Sequence, residues 1–328
     1  MRQGRLWSCV LLVLIGSSVA LAGGPFGAPM STLDPGQWAV DAGYWYEEMD
    51  ADASAGITEY YREWMFSEDP NVEDGWGEWE LDDLWEQRIV LESLETHTYV
   101  GSVEYGFCDN LDLYIRLGAT SAEADLVTRD VDWDYDEELG QWIATIEDVK
   151  DSFDFGTGFT WQVGTRFTIC QTGAWTWGGR LQFGMVDDLS GSSRYTEVSE
   201  VAETVYEVET EEVDADLDWW QAAAYIGPTY KLSDALQVYL AGGWQTLQGT
   251  LDIDSAMTEE TYDVSGEVEE LVERHQYADK GSFEINHASA IAVFGAAWAP
   301  TENINIGVDG LVGESGKWGV GISGAFAF

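Results

Sequence analysis

Trp318-Gly319-Val320-Gly321-Ile322-Ser323-Gly324-Ala325-Phe326-Ala327-Phe328 closes the chain, and its reading decides the fold. Trp318, Val320, Ile322, Phe326 and Phe328 are large and apolar, with Gly324 completing their face. Gly319, Gly321, Ser323, Ala325 and Ala327, on the other face, are all tiny. A strand half-buried in water alternates apolar with polar; this one alternates bulky with small. Successive side chains of a strand point to opposite faces, so one face suits an apolar solvent and the other a crowded or narrow interior. In a soluble sandwich the same segment would be an exposed hydrophobic edge and an aggregation hazard.

The same period recurs upstream. Residues 37–46 place Trp38, Val40, Ala42, Tyr44 and Tyr46 on one face, and 98–107 do so with Tyr99, Gly101, Val103, Tyr105 and Phe107. Leu111, Leu113, Ile115 and Leu117 alternate with Asp112, Tyr114 and Arg116. Phe153 to Ile169 is the longest unbroken alternation, with Phe153, Phe155, Phe159, Trp161 and Val163 assigned outward and Asp154, Gly156, Gly158, Thr160 and Gln162 inward. Further strands are expected from Trp175 to Met185, Leu217 to Tyr230, Leu236 to Trp244, within Phe283 to Trp298, from Ile304 to Val312 and from Trp318 to Phe328. Within Phe283 to Trp298, Phe283, Ile285, Ile291 and Val293 compete with Phe294 and Trp298 for the outer face, and a bulge near Ala296 would reconcile them. The count is ten, with eight or twelve as alternatives.

Short connections at Cys108, Cys170, Lys231 and Pro300 alternate with long ones near 47–95, 122–152, 187–218 and 249–284, plus a short fifth at 313–316. The chain carries 61 Asp and Glu against 14 Lys and Arg, for a net charge of -47, and 52 of those carboxylates fall in these five connections. The expected membrane-crossing part is thereby almost uncharged, as lipid demands. With 45% hydrophobic residues, 17 Trp and 15 Tyr, the chain is not a disordered acidic polymer. Nucleic acid is excluded as a partner, since phosphate binding needs a basic surface.

Met1 to Ala22 has Arg2 and Arg5, an apolar run from Val10 to Ile15, and Ala20-Leu21-Ala22 as a small-x-small cleavage site. It reads as a secretory signal peptide (residues 1–22), too short in its apolar core to span, leaving residues 23–328 as one domain.

Together these features resemble bacterial outer-membrane β-barrel proteins as a class. The resemblance implies an all-β, closed, antiparallel up-and-down transmembrane barrel, inserted by the barrel assembly machinery into outer-membrane lipid of a Gram-negative-type bacterium. Short turns and both termini then face the periplasm, long acidic hairpin loops face outside, and Phe326 and Phe328 belong to a terminal assembly signal.

Inward charges are few and of both signs. Arg116, Arg166 and Arg180 are expected to meet Asp41, Glu104, Asp112, Asp154 and Asp309 in a luminal ion-pair network, because buried charges persist mainly when paired. Such a network either plugs the lumen or forms a charged constriction. The inward glycines, such as Gly156, Gly158, Gly164, Gly178, Gly184, Gly319 and Gly321, leave room for a narrow channel. Asp130, Asp132, Asp134 and Asp136 share one face of an extended segment, a hard-oxygen cluster suited to Ca2+ or Mg2+, although it lacks the glycine and terminal glutamate of an EF-hand loop. Catalytic motifs are absent from the sequence. An Asp-His site like that of omptin proteases would have to use His97 or His287, and in so acidic a chain the proximity of a His to some Asp is coincidental. No enzyme activity is expected. Cys108 and Cys170 lie two strands apart, and both a disulfide and two separate thiols stay open. The functional expectation is a surface-exposed structural or binding barrel with cation-binding acidic loops, or else a small porin-like channel whose acidic vestibule gathers cations.

Overall fold

The computed structural model describes residues 27–65, 75–76, 80–136, 141–202, 204–264, 270–301, 303–314 and 316–328. Among them, the side chains of 51–65, 75–76, 80–92, 126–136, 141–151, 200 and 270 are not described. The expected signal peptide lies outside these residues.

Eleven strands and no helix occur among the described residues: β1 (Trp38–Met65), β2 (Gly75–Trp76), β3 (Glu80–Cys108), β4 (Leu111–Asp136), β5 (Gln141–Thr172), β6 (Trp175–Ala202), β7 (Val205–Lys231), β8 (Leu236–Asp263), β9 (Glu270–Thr301), β10 (Ile304–Gly313) and β11 (Trp318–Ala327). All pair antiparallel with their neighbours in chain order, β2 being a two-residue extension on β1. The ring closes where β1 meets β11, from Ala39 opposite Ala327 to Glu48 opposite Trp318. Ten strands therefore form the barrel, and closure removes the exposed edge that the last strand would otherwise present.

Eight of the ten strands, β1 and β3 to β9, run 26 to 32 residues. A tilted strand crosses a bilayer in roughly 9–11 residues. The surplus lies entirely at the end opposite the short turns, so most of the expected long connections are strand extensions. Only the β10–β11 hairpin stops early. Above it β1 pairs directly with β9, from Asp52 opposite Asn286 to Glu63 opposite His275. The wall of the extension is thus eight-stranded.

The outer face carries the belt expected of a membrane-spanning barrel. Val103, Ile115, Leu181, Ile226, Leu240, Val308 and Ile322 are all exposed large apolar residues. Aromatic pairs frame it: Trp38 with Tyr105 and Trp175 with Tyr230 at the short-turn end, Tyr44 with Tyr99 and Tyr46 with Trp318 at the other, at centroid distances of 4.6 to 4.9 Å. Aromatics also cover cross-strand glycines, Tyr114 over Gly164 and Tyr239 over Gly295 inside, Phe167 over Gly179 and Phe294 over Gly310 outside.

Two facing assignments change. Between Ser121 and Ala122 the β4–β5 register slips, leaving Gly156 as the extra residue of β5. A one-residue slip exchanges the faces of a strand. Phe153 and Phe155 therefore point inward and are buried, while Asp154 points out and is exposed. In β9 no register shift occurs near Ala296. Phe283, Ile285, Ile291 and Val293 are all odd-numbered and buried, whereas Phe294 and Trp298 are even-numbered and exposed, so a single phase satisfies every one of them.

Candidate functional site

The lumen is filled in layers. At the short-turn end, the segment Gly27–Gln37 turns back into the barrel before β1 begins. Its polar groups reach the wall: the Ser31 hydroxyl donates to Asp112 at 2.8 Å, Thr32 N–H to the same carboxylate at 2.7 Å, and Gly27 N–H to Asp309 at 3.3 Å. Ala28 and Met30 pack on Tyr225, Tyr239, Ile291 and Leu311. Gly178, expected to leave space, instead seats this strap, since a methyl there would run into the carbonyl of Pro29. The strap was not foreseen, although three prolines and two glycines in 25–36 mark a segment that does not begin as a strand.

Above it lie the inward charges. Arg166 bridges Glu104 and Asp112, at 3.3 Å to the latter. Arg180 Nε donates to Tyr114 OH at 2.8 Å, and the Arg116 and Arg180 guanidinia lie 4.9 and 4.6 Å from the Tyr114 ring centroid. Asp309 is buried on β10, across the ring from β5, and Asp41 is buried on β1, beside β3. The structure therefore gathers Arg116, Arg166, Arg180, Asp41, Glu104, Asp112 and Asp309 inside the barrel. Asp154 lies outside, for the register reason given above.

A second ion pair, absent from the sequence expectations, sits higher. Lys317 Nζ lies 2.5 Å from Glu47 Oε1, and both side chains are inaccessible to solvent. Gln245 donates to the same oxygen at 3.2 Å. Thr98 and Thr120 hydrogen-bond at 3.0 Å in this layer, and the void beside them is about 10 Å³, room for about one water. Parity carried the signal: Glu47 continues the inward series Asp41, Gly43, Trp45, and Lys317 precedes outward Trp318.

An apolar layer closes the top. Met49, Leu94, Phe153, Phe155, Leu189, Leu217, Leu251 and Phe283 form one buried cluster drawn from strands all round the barrel. Above this floor the inner face of the extension turns acidic. Glu197 of β6 stands opposite Glu209 of β7, which stands opposite Glu259 of β8. Like charges directly opposite one another are destabilising. Glu209 is held above the usual carboxylate range by partial burial and by Glu211, Glu197 and Glu207, and Glu259 by partial burial and by Glu207, Glu273 and Glu209, against His275. On the outer face Glu48, Glu95, Glu123 and Asp154 form a second cross-strand row just past the aromatic rim, with Trp318 donating to Glu48 at 2.8 Å.

The backbone of Asp130–Asp136 pairs with Gln141–Glu147 as the expected hairpin, but these aspartate side chains lie outside the described ones. No group of three or more His, Cys, Asp or Glu side chains placed to hold a metal ion occurs among the described residues. His97 faces outward and bonds Tyr44 OH at 2.8 Å; His287 faces inward beside Ser289 at 3.2 Å; His275 pairs with Glu273 at 2.9 Å. Cys108 and Cys170 are separate, exposed thiols.

No protein-family model and no curated protein matches the sequence. Among solved structures the chain is similar to the outer membrane protease OmpT from Escherichia coli, at 6% identity over 90% of this chain and 97% of that one, with a TM-score of 0.43. It is also similar to OprG from Pseudomonas aeruginosa, at 10% identity over 90% and 97% with a TM-score of 0.34. A third is Ail, the attachment invasion locus protein of Yersinia pestis, at 10% identity over 90% and 99% with a TM-score of 0.25. The chain resembles bacterial outer-membrane β-barrels as a class and no single family among them.

Proposed function

We propose that this chain is a closed-lumen barrel of the outer membrane of a Gram-negative-type bacterium, with its strand extensions outside the cell and its short turns in the periplasm, acting as a surface-exposed structural and binding protein. One observation carries the reading: strap, charged layer, Lys317–Glu47 layer and apolar floor succeed one another along the lumen. Barrels of about eight strands are commonly filled by their own side chains, and this one adds a segment of its own chain. The protein is expected to be electrically silent in a planar bilayer, and stepwise ohmic conductance would overturn a closed lumen.

A second reading, a small channel, is favoured by one feature. Asp41, Ser102, Asn305, Asp309 and Ser323, on β1, β3, β10 and β11, each keep a buried oxygen without a hydrogen-bond partner among the described residues, as do Gln162, Thr229 and Tyr239 on β5, β7 and β8. The same recording decides between the two. The hairpin holding Asp130, Asp132, Asp134 and Asp136 is proposed to take Ca2+ or Mg2+ at about 10⁻⁴–10⁻³ M, as extracellular sites do. Calcium-dependent protection of the 125–150 segment from protease tests it. Phe326 and Phe328 are proposed as the element read by the assembly machinery.

A further inference from the structure

The eight-stranded wall of the extension is not continuous. Pairing between β5 and β6 ends at Phe159 opposite Asp187. Beyond that level β5 keeps only β4 and β6 keeps only β7, among the described residues. Both strands bulge at the parting: Gly156 is the extra residue of β5, and in β6 the register slips between Val186 and Leu189 with Asp188 at a φ of 62°. Bulges bend and twist a strand away from its neighbour. Ser190 and Gly191 still lie against Asp154 to Gly156 of β5, and beyond them the seam is splayed, so that Ser192–Ser199 runs along it as an open edge about 26 Å long.

Neither proline nor lysine blocks this edge, Arg194 and Glu197 are its only charges, and every side chain from Ser192 to Ser199 is exposed. The ladder phase identifies the free groups. Lys231 N–H bonds the Ala174 carbonyl at one end of β7, and Val264 N–H bonds the Thr204 carbonyl at the other. With the registers, these make the odd residues of β7 face β6, so that in β6 the even residues, Thr196 and Val198 among them, turn N–H and C=O to the open side.

The charge beside the edge selects the occupant. Across residues 187–202, 204–218 and 249–263, which are the extensions of β6, β7 and β8, Arg194 is the only Lys or Arg against 16 carboxylates. The row Glu197–Glu209–Glu259 starts on the edge strand itself. A second copy of this chain would bring an equal negative charge to the same seam.

We propose that the β6 edge at Ser192–Ser199 is a docking strand for an extended, lysine- or arginine-rich polypeptide, which adds to the sheet through its backbone and sets its cations against the Glu197–Glu209–Glu259 row. Main-chain bonds supply the affinity and the carboxylates supply the choice of partner. This rests on the reading of the barrel as a binding scaffold, and the conductance recording tests that reading separately: a silent barrel that binds no peptide refutes only the docking strand.

The test uses the full protein in lipid nanodiscs and a labelled alternating Lys-Val peptide of about ten residues. Binding is expected to weaken at least tenfold as salt rises from about 0.05 to about 0.5 M. It is expected to fall by a similar factor when alternate peptide nitrogens are methylated, which keeps the charge and removes the donors. Thr196→Pro removes an outward N–H and spares the β7 ladder, so it too should weaken binding by a similar factor while heat-modifiable migration is retained. The paired change Glu209→Gln and Glu259→Gln should flatten the salt dependence. Equal binding of the methylated peptide would show mere charge adsorption and overturn the proposal. So would equal binding of an alternating Glu-Val peptide, no binding at low salt, or a dimer of the protein that Thr196→Pro dissolves.

Discussion

Lys317 is the sharpest place to perturb the lumen. The residue is buried, and its ammonium lies 2.5 Å from Glu47 and 3.6 Å from the Met49 sulfur. Replacing it by methionine keeps the length of the side chain and removes its charge. Glu47 is then left buried with the Gln245 amide as its named side-chain donor. Removing one partner of a buried pair costs about 3–5 kcal/mol, because the other charge stays out of water without compensation. Glu47→Gln strands the ammonium instead and should cost a similar amount. Lys317→Met combined with Glu47→Gln removes both charges, and exchange of a buried pair for neutral groups is often neutral, so the double variant is expected within about 1 kcal/mol of the parent.

The coupling between the two sites should therefore exceed about 3 kcal/mol, a value read from urea unfolding in detergent micelles with tryptophan fluorescence as the probe. Heat-modifiable migration checks that each variant closed into a barrel. If Lys317→Met alone cost less than about 1 kcal/mol, the pair would behave as a solvated surface bridge. Water would then reach the layer beneath the apolar floor, and the sealed lumen would lose its upper half.

Other parts of the architecture make independent forecasts. Gly178→Val collides with Pro29 and Met30 of the strap and with the Phe167 carbonyl of β5, and where heat-modifiable migration shows the barrel still closed, residues 27–37 should become cleavable by protease added from the short-turn side; unchanged resistance would mean the strap is held elsewhere. Ile115→Arg puts a charge on the lipid face and should destabilise the barrel by about 2–4 kcal/mol if it sits near the midplane, whereas little effect would place that face against something other than lipid. The extension should tighten in acid. Glu209 and Glu259 have folded-state pKa values above the ordinary 4.5, through partial burial and the facing carboxylates Glu197 of β6, Glu207 and Glu211 of β7, and Glu273 of β9, with His275 of β9 opposing. A raised carboxylate pKa means the folded form is favoured below the unfolded value and loses that advantage as pH rises through the folded one. Amide exchange across Tyr206–Val213, corrected for intrinsic rate, should therefore be slower near pH 4.5 than at neutral pH, and the reverse order would deny the crowding.

The sequence made the barrel legible because lipid imposes a rule that needs no partner: bulky apolar residues must appear at every second position. Val40, Val103, Ile115, Val163 and Ile322 obey it, and their strands fell where expected. The rule lapses once a strand leaves the membrane. Phe153 and Phe155 continued the outward alternation of Phe159 and Trp161 in the sequence, yet the bulge at Gly156 turns them inward to build the apolar floor. Alternation reports the period of a strand, and a bulge changes its phase without touching the period. Asp154 was misplaced by the same slip. The Lys317–Glu47 pair was hidden because charged residues beyond the aromatic rim look like loop residues, and only strict parity separates the inward ones from the rest.

The strap and the arginines also explain the feature that first identified the fold. Arg116, Arg166 and Arg180 come from three consecutive strands on one side of the barrel. Asp309 lies on β10, across the ring of strands from them. Asp309 shares its wall with Gly307, Gly319, Gly321, Ser323 and Ala325, each inward and buried, and Leu33 of the strap packs on Ala325 and Ala327. Close packing leaves no room for two sets of long side chains in one lumen. A barrel emptied for conduction would have no such need, because water would fill whatever the side chains did not. The tiny face of Trp318–Phe328 is thus the complement of a cationic cluster and a folded-in strap. Enlarging that face should expel one of them before it narrows any channel. Gly321→Leu would therefore be expected to disturb the Arg180–Tyr114 contact and lower stability, with conductance unchanged at zero.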